Sequence, residues 1–219
     1  MKRRFHACSF AFPNYHPAMT EPEPLKFIGD NEVRLGRRTL TYFSGCDYFR
    51  LARNAQVVQA AHLALERDGL NVAASRRTTG NHKVYAQLET ELAEFFGSEA
   101  ALVLSDGYLA PIAVAQALAG EFTHVLIDQF AHGALLDAAR MFDCAVTEFK
   151  HRDAADLGKA VSKCGRNVRP IILTDGMFAH DGSVAPLHEY VKLMPARGMI
   201  LVDDAHGAGV LGQNRQGCA

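Results

Sequence analysis

Five short apolar runs constrain the fold of this chain more than any other feature of the sequence. Each is five or six residues long, and segments with helical patterning separate them. They are ALVLS at 101–105, HVLID at 124–128, AVTEF at 145–149, PIILTD at 170–175 and MILVDD at 199–204. Runs that are apolar throughout are typical of strands buried on both faces of a parallel sheet. The sequence therefore predicts an α/β fold with a doubly wound, mainly parallel sheet flanked by helices.

Helices are predicted between these runs and before them. Apolar residues at Val84, Leu88 and Leu92 have the i, i+4, i+8 spacing of an amphipathic helix over 82–96, which Gly97 ends. The other predicted helices span 52–68, 108–119, 132–142, 153–163 and 186–194.

The first 50 residues are predicted to form an N-terminal arm with at least one short strand. RRTLTYF at 37–43 has strand composition, and EPEP at 21–24 is typical of a flexible arm within an irregular stretch over 1–30. We expect residues 51–219 to form the large domain, which is incomplete at its C-terminal side.

Composition excludes several classes of function. The net charge is −1 with acids and bases interspersed, so neither nucleic acid nor a membrane surface is an expected partner. No apolar run approaches the roughly 20 residues of a membrane span. The five cysteines are scattered without a CxxC pair, which argues against a disulfide framework or a structural zinc site. We expect free thiols and a cytoplasmic location.

Three of the predicted strands end in an acid, and each acid is followed within five residues by a histidine. The pairs are Asp128 with His132, Asp175 with His180, and Asp203 with His206. Ligands of open α/β sheets bind outside the carboxyl ends of the strands, so we expect the three acids to line one crevice. Taken singly, each acid is also explained as a helix cap and each histidine as a solvated loop residue. For His180 we expect the solvated position.

The turn SDGY at 105–108 links a predicted strand to a predicted helix. Such a turn offers backbone N–H groups at the positive end of a helix, where phosphate binds, although an ordinary strand-to-helix turn has the same composition. Two kinds of site fit these features: an Asp/His metal site and a phosphorylated organic cofactor. The absence of HxH and HExxH spacings argues against the metal.

From about Tyr42 to Gly217 the motifs resemble the α-oxoamine synthases, pyridoxal-phosphate enzymes of the aspartate-aminotransferase fold. The motifs that carry the resemblance, in the order of the family, are SR at 75–76, SDGY at 105–108, DQFAHGALLDAAR at 128–140, TDGMFAHDGSVAPL at 174–187 and LVDDAHGAGVLG at 201–212.

The resemblance implies a role for each matching position. Gly107 and Tyr108 would offer backbone N–H groups to the phosphate, and His132 would stack on the pyridine ring. Asp203 would pair with the ring nitrogen, and His206 would hydrogen-bond the phenolic oxygen. His132, Asp203 and His206 are thereby the implied catalytic residues.

Asp175 is also an implied cofactor-binding residue, at a position where glutamate is common in the family. The implied reaction is a decarboxylating condensation of an amino acid with an acyl thioester such as an acyl-CoA, carried out by a homodimer. The family's Schiff-base lysine follows DDAHG by a few dozen residues, whereas the last lysine here is Lys192. We therefore expect this chain to be a fragment that is inactive alone. A non-catalytic partner subunit and an Asp/His metal enzyme are the alternatives.

Overall fold

The computed structural model describes residues 23–29, 31–165 and 167–218. The chain divides into two compact units, the first ending at Val58 and the second beginning at Gln59. The domain boundary expected at residue 50 stays a prediction. The first half of the EPEP stretch and the arm before it lie outside the described residues.

The first unit contains a three-stranded antiparallel sheet. Its strands are β1 (Lys26–Phe27), β2 (Glu32–Leu35) and β3 (Arg38–Thr41), in that order. The strand predicted over 37–43 is confirmed as β3, but the expectation of an irregular stretch over 1–30 is wrong at β1, which pairs with β2. A two-residue turn joins β2 to β3, with Gly36 at φ +55° in the first position, where hairpin turns favour glycine.

The helices predicted from the apolar spacing are confirmed, with shifted ends. They are α1 (Ala55–Asp68), α2 (Lys83–Phe96), α3 (Leu109–Ala117), α4 (Gly133–Ala139), α5 (Ala154–Lys163) and α6 (Leu187–Leu193). Two predicted ends form single 3₁₀ turns instead, before α1 at Leu51–Arg53 and after α4 at Arg140–Phe142. No described helix has both the length and the apolar character needed to cross a bilayer.

Four of the five apolar runs form one parallel sheet. Its strands are β4 (His124–Asp128), β5 (Ala145–Phe149), β6 (Pro170–Asp175) and β7 (Met199–Asp203), in the order β5-β4-β6-β7. β4 and β6 are the interior strands, and β6 is buried along its whole length. The prediction of a doubly wound α/β fold with a parallel sheet is confirmed.

The fifth run, at 101–105, is not a strand, and that prediction is wrong. None of the described strands pairs with it, and side chains bind its backbone at Val103 instead. The Val103 N–H donates to Glu89 Oε1 at 2.9 Å, and the Val103 carbonyl accepts from Arg76 Nη1 at 3.2 Å. Arg76 and Glu89 themselves form a two-pronged ion pair at 2.7 and 3.0 Å. Leu102 is 73% exposed, although the composition of the run favours a buried strand.

Side chains alternate across the sheet, so its two faces have separate cores. On one face, which we call the α4 face, Ile127 and Leu173 pack with helices α3 and α4. On the other, the α5 face, Leu126 and Ile172 pack with helices α5 and α6. This alternation decides which side each strand-ending acid occupies.

Candidate functional site

Asp175 and Asp203 lie side by side where β6 and β7 end. They are register partners in the parallel pair, and both are in phase with Leu173 and Leu201 of the α4 face. The Gly176 N–H donates to the Asp203 carbonyl at 2.8 Å and extends the pairing by one residue. Asp203 Oδ1 accepts from the Ala205 N–H at 3.2 Å. Its second oxygen, Oδ2, has no hydrogen-bond donor within the part of the chain that the structure describes.

Asp175 is the more buried of the two acids, with 4% of its surface exposed. Its Oδ2 accepts from the backbone N–H of His132 at 2.8 Å. Burial, together with a smaller effect of the negative charge of Asp203, raises the pKa of Asp175 to about 6 against the lowering effect of the His132 N–H. A buried carboxyl group next to a half-buried one favours a cation beside the pair.

His132 lies at the N-terminus of α4, with its ring exposed. Its Nδ1 accepts from the Ala134 N–H at 3.2 Å, so the ring caps the helix and, when neutral, carries its proton on Nε2. The Tyr108 ring meets it edge-on, with centroids 6.1 Å apart. Both contacts fix the plane of the imidazole.

In the SDGY turn at 105–108, which we call the phosphate turn, one of the two expected phosphate donors is already hydrogen-bonded. The Tyr108 N–H, which the resemblance assigns to a phosphate, donates to Asp106 Oδ1 at 2.8 Å. The side above Gly107 is open, because no atom lies within 4 Å of where a Cβ would stand. Tyr108 donates its hydroxyl to Asp137 Oδ2 at 2.5 Å, and that bond raises the pKa of Tyr108.

A cavity of about 150 Å³ joins the phosphate turn to the acids. It is bounded by Gly107 and Pro111 at one end and by Leu201 and Asp203 at the other. The structure thus brings Gly107 and Asp203 to one cavity, and connects Tyr108, His132 and Asp175 to it by direct contacts.

His206 lies half-buried on the turn that follows β7, three residues after Asp203. Its implied contact with a phenolic oxygen stays a prediction. Its neighbour Asp204 was missed by sequence reasoning. The Asp204 carboxylate is packed against Gly176, Gly207 and Gly217, where any added Cβ would overlap it. The two consecutive acids before a glycine cluster could have indicated this packing. The glycines leave room for a carboxylate as well as for a turn.

Asp128 does not join the crevice, and that expectation is wrong. Its side chain is in phase with Leu126 and therefore lies on the α5 face, whereas Asp175 and Asp203 lie on the α4 face. Asp128 is fully buried and binds His151 Nδ1 at 2.9 Å rather than His132. The backbone N–H groups of Phe130 and Arg152 also donate to it, each at 2.9 Å.

Sequence reasoning also missed His151. It lies two residues after a strand, where polar residues gather at the carboxyl edge, but no acid directly precedes it. Closeness along the chain predicts His132 beside Asp128 and His180 beside Asp175. In the structure Asp128 binds His151 and Asp175 binds the backbone of His132.

Comparison with known proteins agrees with this geometry. The model of the family "Aminotransferase class I and II" matches residues 25–218. The 8-amino-7-oxononanoate synthase of Hahella chejuensis is 39% identical over 185 residues, which are 84% of this chain and 46% of that protein. The enzyme of the same name from Methylorubrum populi is 43% identical over 178 residues, covering 80% of this chain and 46% of that protein. The chain spans about half the length of the curated relatives that it matches.

Solved structures show the same fold. The serine palmitoyltransferase of Sphingomonas wittichii superposes with a TM-score of 0.83 at 27% identity, over 91% of this chain and 51% of that one. A lysine-to-alanine variant of a serine palmitoyltransferase from S. paucimobilis, with a bound aldimine of PLP and myriocin, also superposes with a TM-score of 0.83, at 26% identity and the same coverage. The resemblance to the α-oxoamine synthases is confirmed, and the chain belongs to the aminotransferase class I and II family.

Proposed function

We propose that this chain forms the cofactor-binding part of a pyridoxal-phosphate-dependent acyltransferase. The enzyme would condense an amino acid with an acyl thioester, such as an acyl-CoA, and release carbon dioxide. The observation that carries the proposal is the pair Asp175 and Asp203, adjacent at the carboxyl edge of the sheet beside the exposed ring of His132. The names of the relatives support the same class of reaction.

The residues fit the cofactor at the position of its ring nitrogen. Asp203 Oδ2 lacks a donor among the described residues, and Asp175 is buried next to it. A protonated pyridine nitrogen supplies both the missing N–H and a positive charge that relieves the repulsion between the two acids. When bound, pyridoxal phosphate supplies an electron-withdrawing ring that stabilises negative charge at the α-carbon of an amino acid.

The side chains of this part of the chain would divide the remaining work. Asp203 accepts the ring N–H and keeps that nitrogen protonated. Asp175 holds the backbone of His132, and the Ala134 N–H fixes the plane of its imidazole, which would stack on the cofactor ring. His206 would hydrogen-bond the phenolic oxygen.

The phosphate end requires a local change. The open side of Gly107 leaves room for phosphate oxygens, whereas the Tyr108 N–H becomes available when the Asp106 carboxylate turns away from it. Since Asp106 and a phosphate are both anions, they compete for the same helix N-terminus.

The proposal extends to assembly and location. No residue of α1 is buried, and its Leu63 and Leu65 are 52% and 48% exposed, which supports burial of this helix in a homodimer. The described cysteines are unpaired thiols, consistent with a cytoplasmic protein. Sedimentation equilibrium tests the dimer: a monomer at all concentrations contradicts it.

Cofactor affinity of an Asp203→Asn variant tests the site. The substitution removes the charge but keeps the shape. Pyridoxal phosphate should therefore bind roughly ten- to a hundredfold more weakly, because a hydrogen bond to a charged group contributes about 1.5–3 kcal/mol. Equilibrium dialysis of the 219-residue chain measures it. Asp143→Asn is the matched control, because Asp143 is exposed and its φ of +54° is a conformation that asparagine tolerates. Equal affinity of wild type and Asp203→Asn contradicts the assigned site.

The reaction is tested on the polypeptide encoded by the whole reading frame that contains this chain. Release of free CoA thiol from an acyl-CoA, dependent on both an amino acid and pyridoxal phosphate, is the expected result. A polypeptide that binds pyridoxal phosphate but releases no thiol with any amino acid would retain the site and contradict the proposed reaction.

A further inference from the structure

A second group of polar side chains lies on the α5 face, away from the paired acids. His151, His180 and Asp181 offer ligand atoms that all lie within 4.8 Å of one another. Among the described residues, this is the one such group of three or more histidine, cysteine or acidic side chains. His180 comes from the loop after β6 and His151 from the loop after β5, so the fold brings together residues that are 29 positions apart.

We propose that His151, His180 and Asp181 bind a divalent transition-metal ion of the zinc type. Two imidazoles and one carboxylate form a ligand set that zinc favours, with a fourth position left for water or for the nearby hydroxyl of Ser183. Nothing in this proposal depends on the cofactor site.

Asp128 fixes the orientation of the first ligand. The buried Asp128 carboxylate accepts from two backbone N–H groups, and its Oδ1 lies 2.9 Å from His151 Nδ1, so that nitrogen carries the proton and donates. The lone pair of His151 is therefore on Nε2, which points toward Ser183 Oγ at 3.3 Å. A carboxylate behind the non-ligating nitrogen is the usual second partner of a metal-binding histidine.

A tight turn over 177–184 holds the other two ligands. The Phe178 N–H donates to the Ser183 carbonyl and the Gly182 N–H to the Phe178 carbonyl, both at 2.8 Å. Asp181 Oδ1 accepts from the Ser183 N–H at 2.8 Å, which leaves Oδ2 facing His180 Nε2 at 3.4 Å. The turn thus presents both side chains at its tip.

Aromatic rings surround both histidines. The centroid of the Phe130 ring lies 4.7 Å from that of His151 and 5.2 Å from that of His180. The buried Phe178 ring meets His151 edge-on, with centroids 4.4 Å apart. These contacts limit the rotation of the imidazoles. The two imidazoles themselves lie 5.5 Å apart, close enough to share an ion.

Metal binding requires a small contraction. Bonds of about 2.0–2.1 Å place tetrahedral ligand atoms roughly 3.4 Å apart, against the present limit of 4.8 Å. His180 and Asp181, each nearly half exposed, can move by this amount without disturbing the core. The side chain of Arg152, which follows His151 in the chain, is held by the Val184 carbonyl at 2.9 Å.

Titration of the 219-residue chain with Co²⁺ and Zn²⁺ tests the site. One Co²⁺ should bind with visible absorption of a low-coordinate nitrogen and oxygen site, and Zn²⁺ should displace it. His180→Ala should weaken binding at least about a hundredfold, and Asp128→Asn, which acts through His151, roughly tenfold. His188→Ala is the matched control, since His188 lies 3.6 Å from Glu189 in a similar exposed pair without a second histidine.

Four outcomes of these titrations would overturn the proposal. Equal affinity of wild type and His180→Ala places the ion elsewhere, and a strong near-ultraviolet thiolate band places it on a cysteine. Loss of binding in His188→Ala, or no saturable binding of either ion, rejects the site directly. Circular dichroism of each variant checks that the fold is retained. Because His180 is exposed, its replacement by alanine should not unfold the chain.

Discussion

The two faces of the sheet treat a buried acid in opposite ways. On the α5 face, Asp128 has three N–H donors, from Phe130, His151 and Arg152. On the α4 face, Asp175 has one donor, from His132, and a second acid as its neighbour in the next strand. Both acids are buried at the carboxyl edge of the same sheet. The role of an acid at this edge therefore depends on the number of donors around it and not on its position alone.

An acid surrounded by donors positions the groups that bind it, and an acid short of donors is prepared for a ligand. Burial without sufficient donors raises the pKa of Asp175 to about 6, and shifted acids of this kind gather at functional sites. The comparison can be tested by removing each acid in turn, and by removing the ring beside one of them.

The largest effect is expected from Asp128→Ala. Three part-buried N–H groups would lose their buried acceptor, so the free energy of unfolding should fall by about 3–5 kcal/mol. Urea denaturation measures the change, with Asp143→Asn as the control expected within about 0.5 kcal/mol of wild type. Pyridoxal phosphate affinity of the folded fraction should be unchanged. A loss of stability below about 1 kcal/mol would mean that Asp128 does not organise the α5 face.

A smaller, pH-dependent effect is expected from Asp175→Asn. The raised pKa means that the native state holds a proton on Asp175 that the unfolded chain, with a pKa of 3.8, releases. The contribution of this carboxyl to stability is therefore fully present below about pH 4 and is lost as the pH rises through about 6.

The asparagine variant keeps an acceptor for the His132 N–H and does not titrate. Relative to wild type it should gain stability between pH 4 and pH 7, by at most about 3 kcal/mol. Urea midpoints of both proteins across that range give the difference, in which titrating groups remote from Asp175 cancel. A difference that does not change with pH would show that Asp175 has an ordinary pKa.

The smallest effect is expected from His132→Asn. Asparagine is a good helix cap, so it can replace the Nδ1 contact with the Ala134 N–H while removing the flat ring. Stacking of this kind is worth about 0.5–1.5 kcal/mol, so pyridoxal phosphate should bind roughly two- to tenfold more weakly. Equilibrium dialysis measures the affinity, and urea denaturation confirms that stability is retained. Unchanged affinity would remove His132 from the cofactor site.

The sequence predicts the regular part of this fold because burial and periodicity are local properties of the chain. The runs that became β4 to β7 are apolar enough to be recognised one at a time, and so is the amphipathic α2. The run at 101–105 has the same composition and is not a strand. Pairing depends on a neighbouring strand, which composition does not encode.

The site was predictable where chemistry and strand ends coincide, as at Asp175 and Asp203. The pairing of acids with histidines was not, because a shift of one residue along a strand moves a side chain to the other face. Asp128 and Asp175 both end strands, but they differ in phase with their cores. The approach of His151 to Asp128 and of His180 to His151 depends on loop paths between strands, for which the sequence has no periodic signal.

The order of strands also predicts an order of events in folding. Asp128 and His151 are 23 residues apart, within the single unit of β4, α4 and β5, whereas His132 and Asp175 are 43 apart and meet after β6 has inserted beside β4. Contacts of long sequence separation form late, because the entropy of closing the loop must be overcome first. β7, which carries Asp203, pairs with β6 and is synthesised after it. A ribosome releasing this chain would therefore complete the histidine side of the sheet while the carboxylate pair on the other side still lacked its second member.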